Sequence, residues 1–329
     1  MFLIGVRAPG DRLPPRKLVR NTSRILPRAS APHAYDHTMT RGICALTGAS
    51  GYVGSRMAHH LTDVGWEVRA LCRSPPDIPD SHLSHVPFDL ADASASAALD
   101  GADALVHAAY DFSHRHWSDI ARVNVGGSRA LFAAAQAAGI TRIVCVSTVA
   151  AFPGARSLYG RAKLAIERAA LDVGGAVIRP GLVWGPQGAA MFGALRTAIE
   201  RLPVIPLVVP ADLSVTSVYE DDLAMFLERL LDGWPEGAGH LFVAASEEML
   251  TFGELLRSLA AEHAPNRRFV GVPWVVAWLG LRTLEACGAT PPFPSDRLLS
   301  LVHTDSDPLA RATGPTACYG VKFRPFSLA

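Results

Sequence analysis

Apolar positions after residue 40 alternate between short runs typical of buried strands and longer stretches with helical spacing. A strand that is repeatedly followed by a helix indicates βαβ units on a parallel sheet. Short apolar runs predict strands at 43–47, 67–72, 86–88, 104–107, 142–146 and 176–179. Helical spacing predicts helices at 55–64, 123–138, 158–171, 221–231, 252–261 and 275–287. The sequence therefore predicts an α/β fold built on a doubly wound parallel sheet.

The pattern loosens beyond Pro180. Three prolines, Pro203, Pro206 and Pro210, predict irregular structure there. The apolar segment 269–287 is interpreted as a core helix, because helices with so few charges are usually buried. The second half is thus expected to supply a smaller lobe.

Composition excludes several classes of protein. The 329 residues are 49% hydrophobic and 19% charged, which supports a large core. A net charge of +1 indicates no nucleic-acid partner, and no apolar run is long enough to cross a membrane, so we expect no membrane partner. Five cysteines without a CxxC pair indicate neither a disulfide framework nor a zinc site, and no metal is expected. We expect a cytoplasmic protein.

The positive charge is concentrated in the first forty residues. Residues 1–39 contain seven basic and two acidic side chains, many prolines and little periodicity. Three interpretations stay open: a disordered tail, a targeting segment, or untranslated sequence upstream of a natural start at Met39. Residues 1–40 are expected to contribute nothing to the folded protein.

A glycine-rich turn leaves the first predicted strand and enters the first helix. Gly48 allows the tight turn, Gly51 allows backbone to approach a pyrophosphate, and Gly54 allows close packing of helix and strand. Backbone N–H groups of this turn then face the phosphates. The predicted cofactor-binding residues here are Gly48, Ser50, Gly51, Tyr52, Val53 and Gly54. The sequence predicts a Rossmann-type NAD(P)-binding domain at 41–185 and a mainly substrate-binding lobe at 186–329, with some segments returning to the first domain.

The end of the second strand bears on the choice of nicotinamide cofactor. An acidic residue there would bind the ribose 2′-hydroxyl of NAD, whereas arginine suits the 2′-phosphate of NADP. This chain has Arg73 and no carboxylate at that point, which favours NADP over NAD. After the third strand, Asp89 could accept a hydrogen bond from the adenine amine or could cap a turn.

A tyrosine and a lysine lie four residues apart at the start of a predicted helix. Tyr159 and Lys163 therefore share one helix face, and the ammonium is expected to lower the pKa of the phenol. Lysine is rare in this chain, with only Lys17 and Lys322 besides. Ser147 and Thr148 follow the fifth strand, where a hydroxyl could bind a substrate oxygen or cap a turn.

This ordered set resembles the extended short-chain dehydrogenase/reductase family, also described as NAD-dependent epimerase/dehydratase-like. The resemblance runs from about residue 41 to 329 and also includes Asn124 and the segments 178–186 and 218–222. It implies that Thr148, with Ser147 as the alternative, orients the substrate oxygen, that Tyr159 is the general acid/base, and that Lys163 holds the nicotinamide ribose. It further implies cofactor contacts at Asp89, Leu90, His107, Ala108, Ala109 and Pro180. Asn124 is expected to be structural, and Asp221 with Asp222 to begin a helix.

Departures from the family pattern narrow the range of reactions that we expect of this chain. Val149 and Ala150 follow Thr148 where dehydratases of this family have an Asp-Glu pair, and no asparagine follows the sixth strand. The leading hypothesis is an NADP-preferring oxidoreductase that acts on a carbonyl or alcohol of a small-molecule substrate. The alternatives are a sugar-nucleotide epimerase and a non-catalytic NADP-binding regulator. A homodimer is possible in this family.

Overall fold

Parallel strands form the central sheet of the computed structural model, which describes residues 41–78, 80–92, 96–186, 190–210, 212–291 and 293–328. The extension predicted at 1–40 lies outside the described residues. The strands in the described part are β1 Ile43–Thr47, β2 Glu67–Cys72, β3 Leu83–Pro87, β4 Ala104–His107, β5 Arg142–Val146, β6 Ala176–Pro180, β7 Leu182–Trp184, β8 Val204–Val209, β9 Ser214–Val215, β10 Ser217–Tyr219, β11 Leu241–Ala244, β12 Leu250–Thr251 and β13 Arg268–Pro273.

Helices flank the strands in the same described ranges. They are α1 Tyr52–Asp63, α2 Ser96–Leu99, α3 Trp117–Ile120, α4 Gly127–Ala137, α5 Leu158–Asp172, α6 Ala190–Arg201, α7 Glu220–Asp232, α8 Phe252–His263, α9 Trp274–Ala286 and α10 Ser295–Val302. A π-helical segment, Ala121–Gly126, joins α3 to α4 into one continuous helix. This helix begins at Trp117, six residues before the predicted start at 123. Single 3-10 turns occur at Leu90–Asp92, Leu309–Arg311 and Thr316–Tyr319.

The central sheet has the strand order β11-β6-β5-β4-β1-β2-β3, and its neighbouring strands are parallel. Cys44 of β1, for example, lies opposite Val68 of β2 and Ala104 of β4. The predicted fold class is confirmed. Two strands differ from the prediction: β3 begins three residues earlier than 86, and β11 was not predicted. The polar Ser84 and His85 on the edge strand β3 explain its weak apolar signal.

Each face of this sheet is covered by helices and has its own core. Trp66, Met57 and Phe226 are fully buried on the face that α1 and α7 cover. Phe132 and Ile166 are fully buried on the opposite face, under α4 and α5. Because both faces are buried, the inner strands are mainly apolar, which is why the sequence pattern predicts them well.

A smaller cluster of elements follows β6 along the chain. Strands β8 and β13 pair in parallel, and α6 and α8 pack with them around Phe192, Ile199 and Leu255. The prediction of irregular structure around the prolines at 203–210 was wrong, because Val204–Val209 is a strand. This strand pairs with β13 alone in the described sheet, so the missing N–H of Pro206 is tolerated.

Helix α9 differs most from the prediction of a core helix. None of its residues is buried, and the side chains of Val276 and Leu279 are 58% and 54% exposed. Its low charge content therefore does not reflect burial in this chain. Among the described residues, no helix combines the length and the apolar character needed to cross a membrane.

The aromatic cluster around Phe226 should dominate the packing on the α7 side. The Phe226 ring lies 5.7 Å from Phe242 and 5.6 Å from both Tyr319 and Phe323, measured between ring centroids. We expect Phe226→Ala to lower the free energy of unfolding by about 3–5 kcal/mol, because it leaves a cavity among these rings. Denaturant unfolding measures this change. Met225→Ala is the control, since Met225 is 37% exposed and its loss should change stability by less than about 0.5 kcal/mol. Equal effects of the two substitutions would contradict the packing described here.

Candidate functional site

The glycine-rich turn between β1 and α1 forms one wall of a large cavity. Gly48 has φ +76°, and a Cβ at this position would lie 2.8 Å from the backbone nitrogen of Ala109. A Cβ on Gly54 would overlap the carbonyl oxygen of Gly48. Gly51 is the N-cap of α1, and no side chain caps this helix end. The first turn of α1 thus leaves backbone N–H groups available to an anion, as a pyrophosphate site requires.

The cavity has a volume of about 1120 Å³ and lies along the carboxyl ends of the strands. It brings together nearly all of the predicted site residues, although they come from separate segments of the chain. The predicted residues that line it are Gly48, Ser50, Gly51, Tyr52, Val53, Gly54, Arg73, Asp89, Leu90, Ala108, Ala109, Thr148, Tyr159, Lys163 and Pro180. His107 is the predicted residue whose side chain lies elsewhere. Ligands in open parallel sheets bind at this edge, which agrees with the prediction.

Helix α5 carries Tyr159 and Lys163 on its cavity side. Its N-cap Ser157 accepts a hydrogen bond from Gly160 N at 3.1 Å. The Lys163 ammonium is buried and donates to the Val146 carbonyl at the end of β5, at 2.9 Å. The Tyr110 ring packs edge-to-face on Tyr159, with centroids 5.0 Å apart. The tyrosine and the lysine are therefore held in place by packing and hydrogen bonds within the protein itself.

Burial raises the pKa of Tyr159 to about 12, and two neighbours act in the opposite direction. These neighbours are Arg297 of α10, whose charge lowers the pKa, and Thr148, which forms a hydrogen bond with the phenol. The sequence predicts that Lys163 lowers the pKa of Tyr159. In the structure the cation that lowers it is Arg297, while the pKa of Lys163 is itself lowered by burial.

Ser147 and Thr148 differ in their environments. Ser147 is buried, and its hydroxyl donates to Glu167 at 2.5 Å. Glu167 also accepts two hydrogen bonds from Arg179 of β6, at 2.7 and 2.6 Å, within the interior. Both residues line the cavity, but Thr148 is half-buried and interacts with the phenol. The geometry therefore favours Thr148 over Ser147 for contact with a ligand.

His107 supports the glycine-rich turn from below. Its ring is completely buried, with Nδ1 2.8 Å from Thr47 Oγ1 and Nε2 2.8 Å from Ser128 Oγ. Thr47 Oγ1 in turn accepts a hydrogen bond from Ala109 N at 3.3 Å. Burial, followed by the charge of Lys163, lowers the pKa of His107 to about 3, so the ring is neutral. The sequence predicts a cofactor contact for His107. In the structure its side chain instead lies behind the cavity wall and contacts Thr47 and Ser128.

Arg73 and Asp89 lie at the mouth of the cavity. The Arg73 side chain is 69% exposed, and its Nη1 lies 3.8 Å from Asp111 Oδ2. Asp111 is held by Asn124, which accepts from Asp111 N at 2.7 Å and donates to Asp111 O at 3.0 Å. Asp89 accepts from Ala91 N at 2.9 Å, in agreement with the alternative interpretation as a turn cap. The expected structural role of Asn124 is thus to hold the loop that faces Arg73.

The acidic start of α7 makes contacts that the sequence did not predict. The helix begins at Glu220, close to the expected start. Arg56 donates to Asp221 at 2.6 Å, and Arg324 donates to Asp222 at 2.6 Å. The Tyr52 hydroxyl donates to Glu220. These carboxylates therefore join α7 to α1 and to the C-terminal segment, besides opening the helix.

Three cavity residues with polar or charged side chains near Tyr159 are not predicted from the sequence. Tyr110, Asp296 and Arg297 surround Tyr159, yet the last two lie more than 130 positions along the chain from it. No spacing rule connects residues so far apart, so no signal in a single sequence could have found Asp296 or Arg297. Tyr110 follows directly after the segment 107–109, and its position was the one available clue.

A family model decides the relationship of this chain to known proteins. The model of the NAD-dependent epimerase/dehydratase family matches residues 44–224. The chain belongs to this family. The resemblance drawn from the sequence is therefore confirmed. Membership in the NAD-dependent epimerase/dehydratase family also accounts for the position of the cavity at the carboxyl ends of the strands.

Known proteins similar to this chain differ in their substrates or bound ligands. The chain is 34% identical over 286 residues to a ceramide reductase of Caulobacter vibrioides, covering 82% of this chain and 87% of that protein. It is 27% identical over 290 residues to a 3 beta-hydroxysteroid dehydrogenase/Delta 5-->4-isomerase of Mycobacterium tuberculosis, covering 73% and 75%. The structure of MoeE5 in complex with UDP-glucose and NAD has a similar fold, with a TM-score of 0.61 and 22% identity over 70% of this chain and 85% of that one.

The buried neutral His107 should make stability depend on pH. Its folded-state pKa of about 3 lies below the usual value of 6.5, so the unfolded chain takes up the proton first as pH falls. Stability is therefore lost between about pH 6.5 and 3, with a loss of about 2 kcal/mol from this group between pH 7 and 5. We expect His107→Gln to remove this part of the dependence. The free energy of unfolding of both proteins, measured from pH 5 to 7, tests this. Parallel curves for the parent and the variant would contradict it.

Proposed function

We propose that the protein is an NADP-preferring reductase that interconverts a carbonyl and an alcohol on an apolar, lipid-like substrate. The observation that carries the proposal is that Tyr159, Thr148 and Lys163 line the same cavity as the glycine-rich turn. A cofactor cradle and a proton donor are thus directed at one space. We propose that residues 41–185 hold the cofactor and that residues 186–329 mainly surround the substrate.

The cavity has the features that a nicotinamide dinucleotide requires. The glycine-rich turn, from Gly48 to Gly54, would hold the pyrophosphate through backbone N–H groups. Asp89 and Leu90 would lie beside the adenine, and Ala108, Ala109 and Pro180 would line the ring-binding end. Lys163 would bind the nicotinamide ribose. The bound cofactor supplies the hydride that reduces the substrate carbonyl.

The proton for that reduction comes from Tyr159. As the carbonyl carbon accepts hydride, its oxygen takes the phenolic proton of Tyr159, and the product is an alcohol. Thr148 donates a hydrogen bond to the same oxygen and holds it near the phenol. In the reverse direction Tyr159 takes the proton of the alcohol. Lys163 is buried close to this site, where its ammonium donates to the Val146 carbonyl.

An apolar substrate agrees with the walls of the cavity. Phe112, Met191, Met249 and Trp278 give it apolar walls, although charged residues line it as well. The similarity to the ceramide reductase covers most of both chains and is the second support. Val149 and Ala150 occupy the positions after Thr148, so no carboxylate is present there to remove a proton in a dehydration.

Replacement of Tyr159 should separate chemistry from cofactor binding. We expect Tyr159→Phe to lower turnover by on the order of a hundredfold or more, because it removes the proton donor. NADPH binding, followed by cofactor fluorescence, should stay close to that of the parent. Turnover is measured as NADPH consumption with a keto-ceramide, a 3-ketosteroid and UDP-glucose as probes. Unchanged turnover in Tyr159→Phe would contradict the assigned role.

The same probes separate the reductase from the epimerase. A reductase consumes NADPH in step with the ketone. An epimerase would instead convert UDP-glucose with tightly bound NAD and no net cofactor consumption. Binding of NADPH without turnover of any probe would favour a non-catalytic regulator. Only the first result supports the proposal.

Arg73 should determine the preference for NADP. A guanidinium at the end of β2 can bind the 2′-phosphate through two hydrogen bonds. We expect Arg73→Ala to weaken NADPH binding about tenfold or more and to leave NADH binding nearly unchanged. Arg129→Ala is the control, because Arg129 is an exposed arginine of α4 and carries the same charge. Tighter binding of NADH than of NADPH by the parent would contradict the preference.

A further inference from the structure

Two consecutive residues of α10, Asp296 and Arg297, line the cavity beside the helix that carries Tyr159. The Asp296 carboxylate accepts hydrogen bonds from the backbone nitrogens of Leu158 and Tyr159, at 2.7 and 3.1 Å. These N–H groups belong to the first turn of α5, which has no intrahelical partners for them. Asp296 therefore acts as a cap supplied by another helix. It fixes the backbone of Tyr159 itself.

The next residue, Arg297, extends toward the same tyrosine. Its guanidinium carbon lies 6.0 Å from the Phe112 ring centroid, and the Phe112 ring lies 5.5 Å from that of Tyr159. Arg297 and Tyr159 both line the cavity. Burial lowers the pKa of Arg297, and the charge of Tyr159 opposes that change. Asp296 thus binds the backbone of Tyr159, and the adjacent Arg297 lines the same cavity as the Tyr159 side chain.

Other charged or titratable groups face Tyr159 from each element packed around it. Lys163 lies one turn further along α5, and its ammonium is engaged with Val146 O. Cys145 of β5 raises the pKa of the phenol, whereas Thr148 lowers it. Tyr110 packs on its ring, and burial raises the pKa of Tyr110 as well. Among these neighbours, Arg297 is the cation whose charge lowers the pKa of Tyr159.

We propose that Asp296 and Arg297 are positioning residues for the catalytic acid/base, Asp296 by capping α5 at Tyr159 and Arg297 by stabilising the phenolate. This inference rests on the proposed role of Tyr159 as the group that exchanges a proton with substrate. Burial penalises the phenolate, and a nearby cation offsets part of that penalty. The C-terminal lobe thereby controls the ionisation of a residue that the first domain carries.

The phenol can be followed directly, without a substrate. In protein labelled with [13C]tyrosine, the Cζ resonance distinguishes phenol from phenolate, and its absence in Tyr159→Phe assigns the signal. We expect Arg297→Met to reduce the Tyr159 phenolate fraction about tenfold at one alkaline pH below the midpoint, because an adjacent cation shifts a pKa by about one unit or more. Arg297→Lys keeps the charge and should restore most of that fraction.

Arg168→Met is the matched control. Arg168 is an exposed arginine on α5, so the substitution removes the same charge from the same region without touching the cavity. Its phenolate fraction should equal that of the parent. An equal fraction in Arg297→Met and the parent would overturn the role given to Arg297.

The pH profile of ceramide oxidation gives a second readout. Oxidation needs the phenolate, so its acidic limb should move to higher pH by about one unit in Arg297→Met and return in Arg297→Lys. A raised KM with an unchanged profile would mean that Arg297 binds substrate instead, which overturns this inference alone. Full activity of Tyr159→Phe would overturn the proposed function, whereas the NMR titration still decides the role of Arg297.

Asp296→Asn tests the cap. The amide can accept only one of the two hydrogen bonds, so we expect kcat to fall several-fold while the cofactor affinity is kept. The folded state is checked by thermal unfolding, and Asp307→Asn serves as the control because Asp307 is exposed and caps only a local turn. If Asp296→Asn leaves both kcat and the Tyr159 titration unchanged, its positioning role is excluded.

Discussion

Burial of α5 against the carboxyl ends of β5 and β6 is the constraint on which the site depends. Glu167 lies one turn beyond Lys163 and forms an ion pair with Arg179 of β6 at 2.6 Å. It also accepts a hydrogen bond from the Ser147 hydroxyl, and all three residues are buried. A buried charge without its partner costs about 3–5 kcal/mol, so this pair strongly favours one position of the helix. With α5 held in that way, Lys163 reaches the Val146 carbonyl and Tyr159 faces the cavity.

The same helix is where the two parts of the chain meet. In the first part of the chain, the glycine-rich turn is supported by Thr47 and by the buried, neutral His107. In the second part of the chain, Asp296 of α10 caps the first turn of α5. Burial makes Tyr159 a weaker acid, and the charge of Arg297 opposes this change. The electrostatics of the phenol therefore depend on residues that are distant along the chain but adjacent in space.

Success and failure of the sequence-based predictions have separate physical causes. Inner strands such as β1 and β4 are buried on both faces, so an unbroken apolar run identifies them. The edge strand β3 and the proline-containing β8 lack that pattern, because one side of each is open. Helix α9 shows the reverse case, since its apolar sequence predicts burial and its residues are not buried. Hydrophobicity alone does not specify which surface a helix meets.

The sequence by itself determined the α/β class, the family, the glycine-rich turn and the Tyr159–Lys163 pair. These features are local, because a tight turn or a spacing of four residues brings the groups together within one element. Only the tertiary structure decided that His107 supports the turn, that Ser147 is bound to Glu167, and that Asp296 and Arg297 reach Tyr159. Such contacts depend on how elements that are distant in sequence pack together. The burial and the electrostatic environment of the Tyr159 phenol result from all of these contacts.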